Sequence, residues 1–212
     1  MSSHTIYLII YLGQTGQRAH FGIWVPYEEG SSEGTVIHVV GAPMVGFSLS
    51  FKRRYNPEDT GRAVRLVSIG TVLAQNLHVF EGEKGEDTTP RGNLELAAAQ
   101  VPPPRASANF LAPVNDTTNR RCQEWTMDYV RRLVALRYLD EAAIAIVHSK
   151  RDAPNVGIGL RPAAARAQEA QATSQQNLQQ AAATTPDWVW DAGRREYRRW
   201  DGVKWVWQSG ST

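Results

Sequence analysis

The strongest constraint on this chain is a series of short runs rich in β-branched and aromatic residues: Ile6–Leu12, His20–Pro26, Thr35–Gly41, Phe47–Arg54 and Val64–Ile69. Clusters of Gly, Pro and Ser separate them, and that alternation predicts consecutive antiparallel strands. The polar, Gly-containing stretch from Glu28 to Gly34 reads as a hairpin loop between the second and third strands. Leu77–Glu81 predicts one more short strand. The next stretch, Gly82 to Val114, is less regular. It reads as an excursion over the surface, with an acidic loop, a helix at Asn93–Gln100 and a Pro102-Pro103-Pro104 stop.

Downstream, Asp116-Thr117-Thr118-Asn119 offers N-cap residues for a helix with Cys122, Trp125, Tyr129, Leu133 and Leu136 on one face. Arg131, Arg132 and Arg137 fall largely on the other side. A shorter apolar stretch, Glu141–His148, predicts a second helix on the same sheet. The expected fold class is therefore α+β over residues 1–155, an antiparallel sheet packed by a Cys-bearing helix.

Residues 156–185 change character. From Arg161 to Thr185 Ala and Gln dominate, so helix propensity is high but there is little to bury, which predicts a partly helical linker. Residues 186–212 hold five of the seven tryptophans: Trp188, Trp190, Trp200, Trp205 and Trp207. Asp201-Gly202 between Glu196–Trp200 and Val203–Gln208 is a hairpin signal, because a type I′ turn needs positive φ at both central residues. A strand around Trp188–Trp190 completes a three-stranded β-meander, loosely similar to WW-type modules in size and strand count. Five tryptophans exceed what three short strands can hide, so an exposed aromatic surface for a protein partner is expected.

The composition, 42% apolar and 21% charged, is that of a globular protein. A net charge of +2 with only two short basic clusters, Lys52-Arg53-Arg54 and Arg194-Arg195, gives no phosphate-tracking surface. Both clusters read as solvated faces, and no nucleic-acid partner is expected. Cys122 is the only cysteine, so no internal disulfide is available. Ile6–Leu12 is too short to span a bilayer and lacks the flanks of a signal peptide. A cytoplasmic protein without an integral membrane segment is expected.

Cys122 falls in the first turn of its helix, beside Arg120 and Arg121. A helix N-terminus and neighbouring cations both favour the thiolate, the nucleophilic form. A cysteine on an apolar helix face is otherwise a small core residue. An activated cysteine needs an imidazole, and His20 and His38 lie on strands that a hairpin loop joins. On alternation His20 shares a face with Gly22 and Trp24, and His38 with Val36 and Val40; register decides whether the faces coincide. His4, His78 and His148 have no assigned role. Two His and one Cys are also zinc-ligand types, but no Cys-x-x-Cys or His-x-x-x-His pair is present, so no metal is expected.

The order His20-Phe21-Gly22-Ile23-Trp24-Val25, then Val36-Ile37-His38, then Arg121-Cys122-Gln123-Glu124-Trp125 at a helix start resembles the permuted papain-like thiol enzymes of the lecithin:retinol acyltransferase-like group. The resemblance implies Cys122 as nucleophile, His20 as general base and acid, and His38 as the group orienting His20. It also implies thioester chemistry on an amide, peptide or ester, as a hydrolase or acyltransferase, with no cofactor. Arg121 stands where that group usually has Asn. The missing membrane anchors turn the expected substrate from a lipid toward a soluble small molecule or peptide. Trp24 and Trp125 beside the site, and Trp200 and Trp205 in the tail, are the candidate binding aromatics. A catalytically silent interaction protein, binding through its Trp-rich tail, is the alternative.

Overall fold

The computed structural model describes residues 2–14, 16–157, 188–200 and 203–208. The chain divides into two compact units, Met1–Gly159 and Leu160–Thr212. Residues 158–185 of the predicted linker and the Asp201-Gly202 turn lie outside the described residues.

In the first unit the predicted runs form β1 (Ser3–Tyr11), β2 (His20–Pro26), β3 (Gly34–Ala42), β4 (Gly46–Tyr55) and β5 (Val64–Leu73). With β6 (Gly85–Asp87) they make one antiparallel sheet in the order β5-β1-β2-β3-β4-β6. The helices are α1 (Gly92–Ala99), α2 (Cys122–Ala135) and α3 (Ala142–His148). The described residues thus form an α+β fold.

Period-two alternation divides the sheet's side chains between two faces. Leu8, Ile10, Phe21, Ile23, Val25, Ile37, Val39 and Phe51 face the helices, joining Trp125, Met127, Tyr129, Val130 and Leu133 of α2 in the main core. Ile9, Tyr11, Trp24 and Val36 form a smaller cluster on the opposite face, with Tyr7, Tyr55 and Val64 packed around it. Both faces of the central strands are buried. This is why β2 and β3 read as nearly continuous apolar runs.

Three expectations are corrected. Leu77–Glu81 is not a strand; the sixth strand is Gly85–Asp87, inside the stretch read as a surface excursion. The N-cap of α2 is Arg121, whose backbone N–H donates to Glu124 Oε2 at 3.0 Å. Asp116–Asn119 instead form a turn held by Asn115, whose Oδ1 accepts from the amides of Thr117, Thr118 and Asn119. The third concerns Arg53, read as part of a solvated basic cluster but only 2% exposed. Its guanidinium donates to both oxygens of Glu95 at 2.6 and 2.9 Å and to both of Asp87 at 3.0 and 3.1 Å. It lies over the rings of Phe51 and Phe80. The side chain thus ties β4, β6 and α1 together.

In the second unit β7 (Val189–Asp191), β8 (Glu196–Trp200) and β9 (Trp205–Trp207) form an antiparallel meander in chain order. Trp200 and Trp205 are cross-strand partners, 44% and 43% exposed. No described helix is long and apolar enough to cross a membrane.

Removing one member of a buried ion pair leaves the other charge stranded, at a cost of about 3–5 kcal/mol. Arg53→Ala is expected to lose about that much in urea unfolding, while Arg54→Ala, whose partner Glu33 is exposed, loses about 1 kcal/mol or less. Equal losses would contradict the role given to the Arg53 cluster.

Candidate active site

Register answers the question that alternation left open. Tyr11 pairs with His20, Gly22 with His38, and His38 with Ser50. Cross-strand partners share a face, so these residues lie together on the face away from the helices. His20 Nε2 and His38 Nδ1 are 2.8 Å apart, with the rings edge to face. Gly22 permits this approach: a Cβ on it would lie 3.0 Å from both His38 Cβ and Val36 Cγ1.

The other nitrogen of His38, Nε2, is buried and lies 3.6 Å from Glu86 Oε1. That is too long for a hydrogen bond, but the carboxylate favours a proton on the nitrogen facing it. Glu86 is steadied by Ser50 Oγ, which donates to it at 2.5 Å. With the proton on His38 Nε2, His38 Nδ1 accepts and His20 Nε2 donates. His20 Nδ1 then carries a lone pair, the form a general base needs.

Burial, reinforced by Lys52 and Arg62, lowers the His20 pKa to about 4. Burial, with His20 and Lys52 adding to it, lowers His38 to about 2. Both rings are neutral at physiological pH.

Cys122 occupies a different part of the same corner. Its Sγ lies 4.0 Å from Ala19 O and accepts from the backbone amide of Phe21. The β2–β3 pairing begins at Gly22 and His38, so the sulfur sits where β3 has yet to join β2. Ala19 and Phe21 turn toward the helical core, whereas His20 turns away. The thiol therefore meets the backbone on either side of His20, and no hydrogen bond among the described residues joins it to either imidazole.

The first turn of α2 is fastened at this corner by side chains. Gln123 Nε2 donates to Ala19 O at 2.9 Å and to Asp152 Oδ2 at 2.7 Å. The buried Glu124 accepts from Arg18 at 2.7 Å and from Arg151 at 2.9 Å. A thiolate favoured by Arg120 and Arg121 is not what results. Arg120 pairs with Asp128, and Arg121 donates to Phe110 O. Cys122 is 9% exposed; burial pushes its pKa up, and Glu124 outweighs Arg18 in the same direction.

A family model described as a family of unknown function, DUF6540, matches residues 6–140. The chain belongs to that family. No curated protein and no solved structure matched the chain. The DUF6540 region contains both imidazoles, the thiol and Glu86, while the Trp-rich meander lies beyond it.

Two candidate binding residues of the DUF6540 region are corrected. Trp125 is fully buried, stacked on Tyr129 and donating from Nε1 to Val101 O at 3.0 Å. Trp24 is buried in the smaller cluster against Tyr7. Neither presents a surface to a ligand. Sequence reasoning missed Glu86, Ser50 and Tyr11. Tyr11 and Ser50 need only the strand register to be found, whereas Glu86 was hidden in a segment read as loop.

The pH dependence follows from the depressed histidines. An unfolded chain takes protons on these rings as pH falls through about 6.5, and the folded chain does not until about 4 for His20 and about 2 for His38. Their contribution to stability is full above about 6.5 and declines as pH falls below it. The unfolding midpoint is expected to drop between pH 7 and pH 5, and to drop less in His20→Asn. A midpoint that rises over that range would contradict the neutral pair.

Proposed function

We propose that the chain is a cysteine-dependent hydrolase or acyltransferase, acting through a thioester on an amide, peptide or ester, with Cys122, His20 and His38 in a permuted papain-like arrangement. The supporting observation is the 2.8 Å contact between His20 Nε2 and His38 Nδ1, which leaves His20 Nδ1 as a base beside the strand backbone that holds the sulfur.

In this reading the resting enzyme is a neutral thiol and a neutral imidazole. The side chain of Cys122 turns about χ1 out of its seat between Ala19 and Phe21 toward His20 Nδ1. The thiol proton passes to that nitrogen as the sulfur attacks the carbonyl carbon, and His20 returns the proton to the leaving group. Water or a second acceptor, deprotonated in turn by His20, then resolves the thioester. The Cys122 amide, at the N-terminus of α2, donates to the oxyanion. His38 orients His20 and, with Glu86 beside it, fixes the tautomer.

A second reading, a catalytically silent protein that binds a protein partner through its tail, is favoured by a separate observation. Trp188, Trp190, Trp200 and Trp205 are between 39% and 51% exposed. The buried thiol also suits that reading.

Acetylation of the full chain by p-nitrophenyl acetate, followed by mass spectrometry of the Cys122 peptide, separates the two. Acyl transfer predicts an adduct on Cys122 that forms faster than on free cysteine at neutral pH. His20→Ala is expected to slow it by about 10²–10⁴-fold, the usual worth of a general base, and Cys122→Ser to abolish it. If His20→Ala leaves the rate unchanged, the enzyme reading fails and the binding protein remains.

A further inference from the structure

On the same face as the imidazole pair, a cleft of about 260 Å³ opens between β1, β4 and the turn that follows β4. Tyr11, Lys52, Tyr55, Asp59, Arg62 and Lys84 all line it. Tyr11 also packs its ring against His20, with centroids 5.5 Å apart, so the cleft begins beside the imidazoles.

The lining is unusual in what it leaves unpaired. Lys52 is half-buried, its ammonium 5.3 Å from the Tyr11 ring centre and 5.7 Å from that of Tyr55. Among the described residues, the side chains of Lys52, Arg62 and Lys84 make no hydrogen bond or ion pair. The hydroxyls of Tyr11 and Tyr55 are buried and lie beside each other, with no other hydrogen-bond partner among the described residues. Two hydroxyls that share one hydrogen bond keep one O–H to donate to a ligand or to water. The nearby acids are Asp59, in the lining, and Glu86, which is already engaged by Ser50. Three cations against two carboxylates leave one positive charge in excess.

We propose that this cleft is a binding site for a small organic carboxylate, whose anionic group is held by Lys52, Arg62 and Lys84 and by the O–H that the Tyr11–Tyr55 pair leaves free. A single excess charge matches a monoanionic head better than a phosphate dianion. Arg supplies a planar fork that suits a carboxylate, and Lys a point charge that tightens the pair. The site stands on the cleft and its unpaired groups, and does not depend on Cys122 reacting.

Proximity to the imidazoles supplies a second readout. Lys52 and Arg62 both help to hold the His20 pKa down, so an anion placed between them relaxes that effect.

The test is calorimetric titration of the full chain with butyrate, with inorganic phosphate and neutral butyramide as the other probes, and NMR titration of the His20 ring with and without butyrate. Saturable butyrate binding, none by butyramide, and an upward shift in the His20 titration are expected. Arg62→Gln and Lys84→Gln, both at exposed positions, are expected to weaken butyrate binding roughly tenfold each, and Tyr11→Phe to weaken it less. Failure of butyrate to saturate overturns the proposal. So does phosphate binding in preference to butyrate, or equal binding by the charge-removing variants, which marks an adventitious ion only. The unfolding midpoint of each variant is measured alongside. Should Tyr11→Phe fail to fold, Arg62→Gln and Lys84→Gln decide between the two outcomes.

Discussion

A strand in the interior of a sheet must divide its side chains between two faces, and β2 is where that rule governs this protein. Phe21, Ile23 and Val25 belong to the core under the helices. His20 and Trp24 belong to the other side, where Tyr11 and Val36 meet them. The chemistry-bearing side chains are therefore not gathered into one layer. The imidazoles occupy one face, and the thiol lies in the opening where β3 has not yet joined β2. Gly22, opposite His38, lets the two rings meet across the ladder.

Dryness acts alike on the thiol and the two imidazoles. Removing water disfavours charge, so the sulfur keeps its proton and the rings refuse theirs. The consequence for acyl transfer is a neutral nucleophile paired with a neutral base, and not a thiolate–imidazolium pair poised in advance. The helix N-terminus favours negative charge at Cys122, but burial and Glu124 act against it. The arginines that flank the cysteine in sequence are occupied elsewhere, with Asp128 and with the Phe110 carbonyl.

Most of the architecture could be read from residue order. Five strands, three helices and the meander follow from β-branched runs, turn residues and the spacing of apolar residues, all of which are local signals. The sheet partner Gly85–Asp87 carries no β-branched or aromatic residue and is held by pairing with β4 and by Arg53, so nothing local announced it. Arg53 misled for the same reason: a buried guanidinium looks like a surface one until the carboxylates of Asp87 and Glu95, distant in the chain, are brought to it. At the candidate site, the choice of His20 and His38 came from order and spacing. Their contact, the burial of Cys122 and the role of Glu86 are products of tertiary packing, and residue order alone does not contain them.

The tryptophans divide by environment along the boundary between the two units. Trp24 and Trp125 sit in hydrocarbon, while four of those in the meander are half wet. An indole emits toward the blue when shielded and toward the red when hydrated. The protein thus carries two intrinsic fluorophore classes, one for each unit, and a single unlabelled sample reports the state of the sheet domain and of the tail in separate colours.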